Sequence, residues 1–297
     1  MTDIRDFLKE STVLVLGAGA SKPYGFPIGN EVKGRIRDCL NDSQIKANLI
    51  SLGFQTQLLD EFKEILRYGA HSTIDTLLEK KTHFRELGSY LIASTIMPQE
   101  MHDNLFPQRD WYGELFNALD FENDKEPDTR FLSVVTLNYD RSFEHFLNKN
   151  IGYNCHNKYL ESAHKKRENI VVVHAHGSLG EYPSVPYGLN INDANTLRKA
   201  AESIKIVSDR LEDSPDFQRA QDVIANANNI IFLGIGYDDR TLKSLLAKTD
   251  INSKQIIGTS LNLDEPTRQH IRDFFNNRIK LGGMTCMDFL KHIQLAQ

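Results

Sequence analysis

Short apolar runs rich in β-branched residues, each giving way to glycine or polar residues, constrain this fold more than any other feature of the chain. Thr12-Val13-Leu14-Val15-Leu16 runs into Gly17, and residues 131–137, 169–174, 229–233 and 255–259 repeat the form. Runs this short and this continuously apolar suit strands buried on both faces of a parallel sheet. Segments of helical period separate them. Residues 140–148 place Phe143, Phe146 and Leu147 on one face. Residues 216–227 and 264–275 behave likewise, the latter with Pro266 near its first turn, where a missing N–H costs least. Strands alternating with helices predict an α/β fold with a Rossmann-like, doubly wound parallel sheet. Residues 41 to about 130 break the rhythm. They show no convincing strand but carry helical spacing at Leu58, Leu59, Phe62, Ile65 and Leu66, and again at Leu87, Tyr90 and Leu91. The expectation is a single domain over 1–297 with a helical insert after the first strand, closed by an acidic loop at 120–128.

Composition narrows the function classes. The formal charge of −5 gives no global attraction to nucleic acid or anionic lipid, so neither direct nucleic-acid binding nor a membrane role is expected. Lys165-Lys166-Arg167 is the clearest basic patch and reads as a solvated loop. Cys39, Cys155 and Cys286 lie far apart without a C-x-x-C pair, which argues against a zinc ribbon and a disulfide framework. The polar N-terminus carries no apolar leader, and the run at Thr12 is far too short to cross a bilayer. A cytoplasmic protein is expected.

Chemistry-bearing residues sit where the strands end, and strand C-termini in such sheets face the ligand crevice. Gly17-Ala18-Gly19-Ala20-Ser21 lets the backbone turn sharply and approach a pyrophosphate, with a following helix aiming N–H groups at the anion. Lys22 stands where the ordinary dinucleotide fingerprint has its third glycine, so a plain strand-to-loop turn is the alternative. The Gly/Pro-rich stretch at 22–29, with Pro27, reads as a long loop before a helix. In Asn138-Tyr139-Asp140 the amide can hold a hydroxyl or a water and the carboxylate can accept from ribose hydroxyls; alternatively Asp140 only caps the next helix. His176, followed by Gly177 and Ser178, is a candidate general base, better placed than His174, though either can be a satisfied core histidine. Gly234-Ile235-Gly236-Tyr237-Asp238 forms a second glycine turn suited to phosphate or ribose. Asn262 ends the last strong strand, where it could hold the adenosine ribose.

In that order these motifs resemble the sirtuin (silent information regulator) family. Its G-A-G-x-S and G-[IF]-P match Gly17–Ser21 and Gly25-Phe26-Pro27, its T-x-N-x-D matches Thr136, Asn138 and Asp140, and its His-Gly matches His176-Gly177. Deacylating sirtuins continue with Asp-Phe-Arg where this chain has Ile28-Gly29-Asn30, and they carry a four-cysteine zinc ribbon that this chain lacks. The sequence is more similar to the prokaryotic sirtuin-like branch of antiphage defence, including a loose match of Ser72 to Leu78 to an S-x-[IV]-D-x-[FL]-L stretch. Gly258-Thr259-Ser260 also matches letters of a sirtuin ribose motif, but its position suits the final strand, and the ribose role falls to Gly234–Asp238.

The resemblance implies an NAD⁺ glycohydrolase that takes NAD⁺ as substrate, uses no zinc and depletes NAD⁺ in abortive infection. Asn138 would orient a water, Asp140 stabilise developing positive charge, and His176 activate the water or a ribose hydroxyl. The cofactor-binding set expected with them is Gly17, Ala18, Gly19, Ala20, Ser21, Pro27, Tyr139, Ser178, Gly234, Gly236, Tyr237, Asp238 and Asn262. The resemblance also implies control by assembly, in a homo-oligomer or with a HerA-family ATPase. An NAD-dependent protein deacylase and a non-catalytic NAD⁺ or ADP-ribose sensor stay open as alternatives.

Overall fold

The structure, a computed structural model, describes residues 4–69, 73–107, 110–123, 128–181, 185–188, 193–206 and 211–293. Ser72 and residues 124–127 of the acidic stretch lie outside these. Six strands form one parallel sheet: β1 Thr12–Leu16, β2 Leu132–Thr136, β3 Val171–His174, β4 Asn229–Leu233, β5 Gln255–Thr259 and β6 Ile279–Gly282. Their order is β3-β2-β1-β4-β5-β6. The doubly wound fold read from the sequence is therefore the fold observed, in the strand order of dinucleotide-binding sheets. β6 lies beyond β5, which the sequence marks as the last strong strand. Its Ile-Lys-Leu-Gly segment is half exposed at the sheet edge, so it lacks the apolar run that marks the buried strands.

Alternation along each strand feeds two separate cores. Leu14 and Leu16 of β1, with Val134 of β2 and Ile231 and Leu233 of β4, pack into the larger apolar layer, which holds the helices between β1 and β2. Val13 and Val15, with Val135, Ile230 and Phe232, face the smaller layer. There Phe217, Ala220 and Ile224 of the helix Pro215–Asn226 and Leu242 and Leu245 of Asp239–Leu245 cover the sheet. The pairing of Leu14 with Val134 on one side and Ile231 on the other fixes the register. A one-residue slip would turn every side chain of β1 into the wrong layer.

Between β1 and β2 the described residues hold helices and no strand, among them Gly29–Cys39, Ser43–Ser51, Thr56–Tyr68, Ile74–Lys80, Arg85–Ile96 and Trp111–Leu119. Three of these have a side-chain cap at their start. Asp42 caps Ser43–Ser51 through the Gln44 and Ile45 N–H groups, Thr73 caps Ile74–Lys80 through Thr76, and Asp110 caps Trp111–Leu119 through Gly113. Ile74, Leu77 and Leu78 bury the inner face of the short helix. Gly88 leaves room for Leu78: a Cβ there would meet its methyl carbon at 2.5 Å. Among the described residues no helix is long and apolar enough to cross a membrane.

The chain leaves β1 toward β2 and β3, then returns to the other side of β1 as β4. This reversal puts the switch point of the sheet between β1 and β4, where loops part and a crevice opens at the strand C-termini.

Candidate functional site

A cavity of about 500 Å³ occupies that crevice, a size in the range of small-molecule sites, which run from roughly 300 to 1,000 Å³. The ends of β1, β2, β3 and β4 build one wall, through Gly17, Ala18, Ser21, Asn138, Tyr139, Asp140, His176, Gly236 and Asp238. Phe26 and Pro27, from the loop before Gly29–Cys39, extend it. The opposite wall comes from the helical insert, through Thr73, Ile74, Asp75, Thr76 and Glu79, with Ile92 and Ile96.

On the sheet wall the polar groups hold one another. The Asn138 side-chain amide donates to the Gly17 carbonyl and to Ser21 Oγ, both at 3.0 Å. Its N–H groups are thereby used, and its carbonyl oxygen is left as an acceptor toward the cavity. The Ser21 hydroxyl in turn hydrogen-bonds Asp140, whose carboxyl is pushed up by burial. Asp140 Oδ1 also accepts from the Ser142 N–H at 3.2 Å and from the Ser142 hydroxyl, to which Tyr112 contributes a hydroxyl contact at 2.7 Å. Much of the Asp140 carboxylate thus goes into holding the start of the helix Ser142–Asn154, the simpler of the two roles its position suggests, even though the residue also lines the cavity.

The two histidines part company. His174 Nε2 meets Glu144 Oε1 at 2.7 Å and its Nδ1 meets the Asn138 carbonyl at 3.0 Å, so it braces the backbone of the Asn-Tyr-Asp segment. Burial opposes its charge, but Glu144 and the Asn138 carbonyl outweigh that, and its pKa is raised. His176 lines the cavity, parallel to the Phe217 ring at 6.3 Å between centroids. Burial lowers its pKa to about 4, against a partial rise from a backbone hydrogen bond at Leu137. The imidazole is therefore neutral at pH 7 and can accept a hydrogen bond there.

The glycines have a different explanation from the one their pattern suggests. Gly17 N–H bonds the Leu233 carbonyl at 3.0 Å and Gly19 N–H bonds the Gly234 carbonyl at 2.9 Å, so the β1 and β4 turns lie backbone against backbone. A Cβ at Gly19 would sit 2.8 Å from the Gly234 oxygen; one at Gly234, where φ is +61°, would sit 2.1 Å from the Ala20 nitrogen. Gly19, Ala20 and Gly234 serve this contact and do not line the cavity. Trp111 Nε1 donates to the Ala20 carbonyl at 2.8 Å, so the insert also supports the turn from beneath.

Three further candidates lie off the cavity lining. Tyr237 is buried under the sheet edge with its hydroxyl on the Thr259 carbonyl at 3.0 Å, Ser178 donates to the Gly180 carbonyl at 3.0 Å, and Asn262 takes a left-handed turn after β5. Gly258 and Thr259 belong to β5, and Thr259 Oγ1 accepts from the Gly234 N–H at 2.8 Å, steadying the turn from the neighbouring strand. Asp238 lines the cavity and caps Asp239–Leu245 through the Thr241 N–H at 2.9 Å. Thr73, Ile74, Asp75 and Thr76 on the far wall belong to the loosely matched Ser72 to Leu78 stretch, but that match carries no site role for them, and the segment otherwise reads as an ordinary helix start. Among the described residues no group of His, Cys, Asp and Glu is arranged to hold a metal ion.

No curated protein matches the chain at a significant level. The SIR2-like domain family matches residues 132–277, from β2 through the turn after Glu265–Phe274, so that Asn138, Asp140, His176 and the β4 turn fall inside the match while Gly17–Ser21 and the insert precede it. Over these residues the chain is similar to the SIR2-like domain family.

Proposed function

We propose that this protein hydrolyses NAD⁺ to nicotinamide and ADP-ribose. The observation that carries the reading is the convergence of the Gly17–Ser21 turn, Asn138, Tyr139 and His176 on one cavity at the sheet's switch point, in a chain similar to the SIR2-like domain family over residues 132–277. SIR2-like domains are generally enzymatic and NAD-dependent.

In the balanced reaction, NAD⁺ and water give nicotinamide, ADP-ribose and one proton. The C–N bond between nicotinamide and ribose breaks, nicotinamide leaves neutral with the bonding pair, and water oxygen bonds to the ribose carbon. Because the leaving group departs without protonation, the protein's part is to place the ribose and support positive charge on it. The Asn138 side-chain oxygen Oδ1 is open to accept from the attacking water, since both amide hydrogens are engaged elsewhere. His176, neutral at pH 7, orients the same water or a ribose hydroxyl and passes the released proton to solvent. Asp140 adds negative charge beneath the ribose while anchored by Ser142 and Ser21.

One observation favours a second reading, binding of NAD⁺ without cleavage: a histidine titrating near 4 is a weak base, and Asp140 is largely engaged. Nicotinamide release by the wild type and by His176→Ala separates the two. Hydrolysis predicts release that falls about 100-fold or more in the variant, as for loss of a general base. Intact NAD⁺ recovered from tight complexes with both proteins selects the sensor, and acetyl-peptide-dependent turnover selects a deacylase. From the resemblance alone we further propose that activity is released by homo-oligomer formation or by a HerA-family ATPase during phage infection. Turnover with and without that ATPase tests the partner.

A further inference from the structure

Five carboxylates line the cavity, and four have partners among the described residues. Asp140 accepts from Ser142 and Ser21. Asp238 accepts from the Thr241 N–H and hydroxyl, both at 2.9 Å. Glu212 accepts from the Ser244 hydroxyl, and Glu79 is paired with Arg240. Asp75 is the exception. Among the described residues neither a cation nor another residue's hydrogen-bond donor meets its carboxylate, and only its own backbone N–H relieves it. It is partly buried, with Ile74, Leu77 and Leu78 beside it wholly inside. Tyr139 lines the same cavity, and burial first, with the Asp75 carboxylate adding to it, hinders ionisation of its phenol.

An ionised group withdrawn from water without a partner costs free energy that a structural role does not return. Burial accordingly pushes the Asp75 carboxyl above its ordinary range. A cation brought into the cavity would offset that cost, because an opposite charge a few ångströms away in a low-dielectric site interacts far more strongly than in water. Tyr139 belongs to the segment that would address the nicotinamide ribose, so the charge facing Asp75 is the one next to that ribose.

We propose that Asp75 contacts the cationic pyridinium ring of the substrate and sets a preference for the oxidised over the reduced dinucleotide. This rests on the NAD⁺ reading above and deepens it. The pyridinium of NAD⁺ is positively charged and the dihydropyridine of NADH is neutral, while the two share every other group. A carboxylate at the ring discriminates between them without touching the adenosine half. The insert then supplies selectivity, and the sheet supplies position.

The experiment uses the full chain and three probes: a carbocyclic NAD⁺ analogue that keeps the pyridinium charge but resists cleavage, NADH, and ADP-ribose. Binding is measured by calorimetry for the wild type and for Asp75→Asn, with thermal melts of both proteins. The wild type should bind the cationic analogue about tenfold or more tightly than NADH, in line with one uncancelled charge contact. Asp75→Asn should erase that preference, leave ADP-ribose binding unchanged, and melt at the same temperature or higher, since a charge partly withdrawn from water is gone. An unchanged preference in the variant overturns the proposal and leaves the NAD⁺ reading standing. Equal weakening of all three ligands, or a variant that melts well below the wild type or fails to fold, shows Asp75 to be structural and overturns it too. A wild type that binds none of the three overturns both the NAD⁺ reading and the proposal.

Discussion

The two walls of the cavity are built on opposite plans. On the sheet wall, Asn138, Ser21, Asp140 and Ser142 form a connected set of hydrogen bonds, and the β1 and β4 turns touch through glycine backbones. Each group there is held by at least one neighbour, which is how a site fixes geometry before a ligand arrives. The insert wall rests on apolar contacts of Ile74, Leu77 and Leu78 beneath and an exposed Glu79–Arg240 pair at the rim, and it leaves Asp75 without a partner among the described residues. The contrast teaches that connectivity and chemical demand are divided. The wall that positions is satisfied internally, and the wall that selects is not.

Substitutions break this contrast in graded fashion. The largest effect is expected from Gly234→Ala, which puts a Cβ against the Ala20 nitrogen at a positive φ. The two turns must separate, and the loss should reach about 3 kcal/mol or more by denaturant unfolding, combining a steric clash with backbone strain. A near-native midpoint would show that the turns do not depend on this contact. Next is Asn138→Ala, which frees the Gly17 carbonyl and Ser21 from a common tether. Nicotinamide release should drop about 100-fold with a smaller change in the melting temperature, as expected when reacting groups lose their alignment. A fall in stability alone would reduce Asn138 to a structural brace.

An effect of intermediate size depends on pH. Folded His176 titrates near 4 and has an ordinary value of 6.5 when exposed. Between those values the unfolded chain binds a proton that the folded chain refuses. Burial of the neutral ring therefore stabilises fully above 6.5, and that contribution is lost as pH falls toward 4. The stability difference between wild type and His176→Gln should shift against the wild type by about 1–3 kcal/mol between pH 7 and 4.5. Paired unfolding curves at the two pH values check this, and parallel curves would mean that the ring is not held neutral. The smallest change belongs to Glu79→Gln. Exposed ion pairs are worth about 0–1 kcal/mol, so the fold should barely notice, and any effect should appear as a modest rise in KM for NAD⁺. A large loss of stability would mean that the rim pair, and not the apolar underside, holds the insert wall in place.

The sheet was legible because its signal is local. Five apolar runs with glycine or polar exits are the five strands β1 to β5, and their loops carry Asn138, Asp140 and His176 to a common edge. What escaped depends on strand order and on tertiary contact. β6 alternates Ile, Lys and Leu at an edge, and four residues of such alternation do not stand out from a loop. Asn262 follows β5, two places from β1 in the sheet, a separation that chain order does not reveal. Gly19 and Gly234 looked like ligand glycines because close approach to a phosphate and close approach to another backbone require the same missing Cβ. Asp75 lay in plain view within the insert, yet its environment arises only when Ile74–Lys80 is laid across the strand ends.

Every described insert residue on the cavity wall falls between Thr73 and Ile96, in one stretch of chain, whereas the facing wall is gathered from four separate loops. The two walls therefore differ in how readily heredity can alter them. A single exchanged segment, or a few changes clustered in a short stretch of gene, can replace the whole selecting surface and leave the sheet untouched. The positioning surface allows no such substitution, since its parts are dispersed along the chain and must change together. Grafted in the laboratory, that one stretch makes the selectivity of this scaffold a portable part.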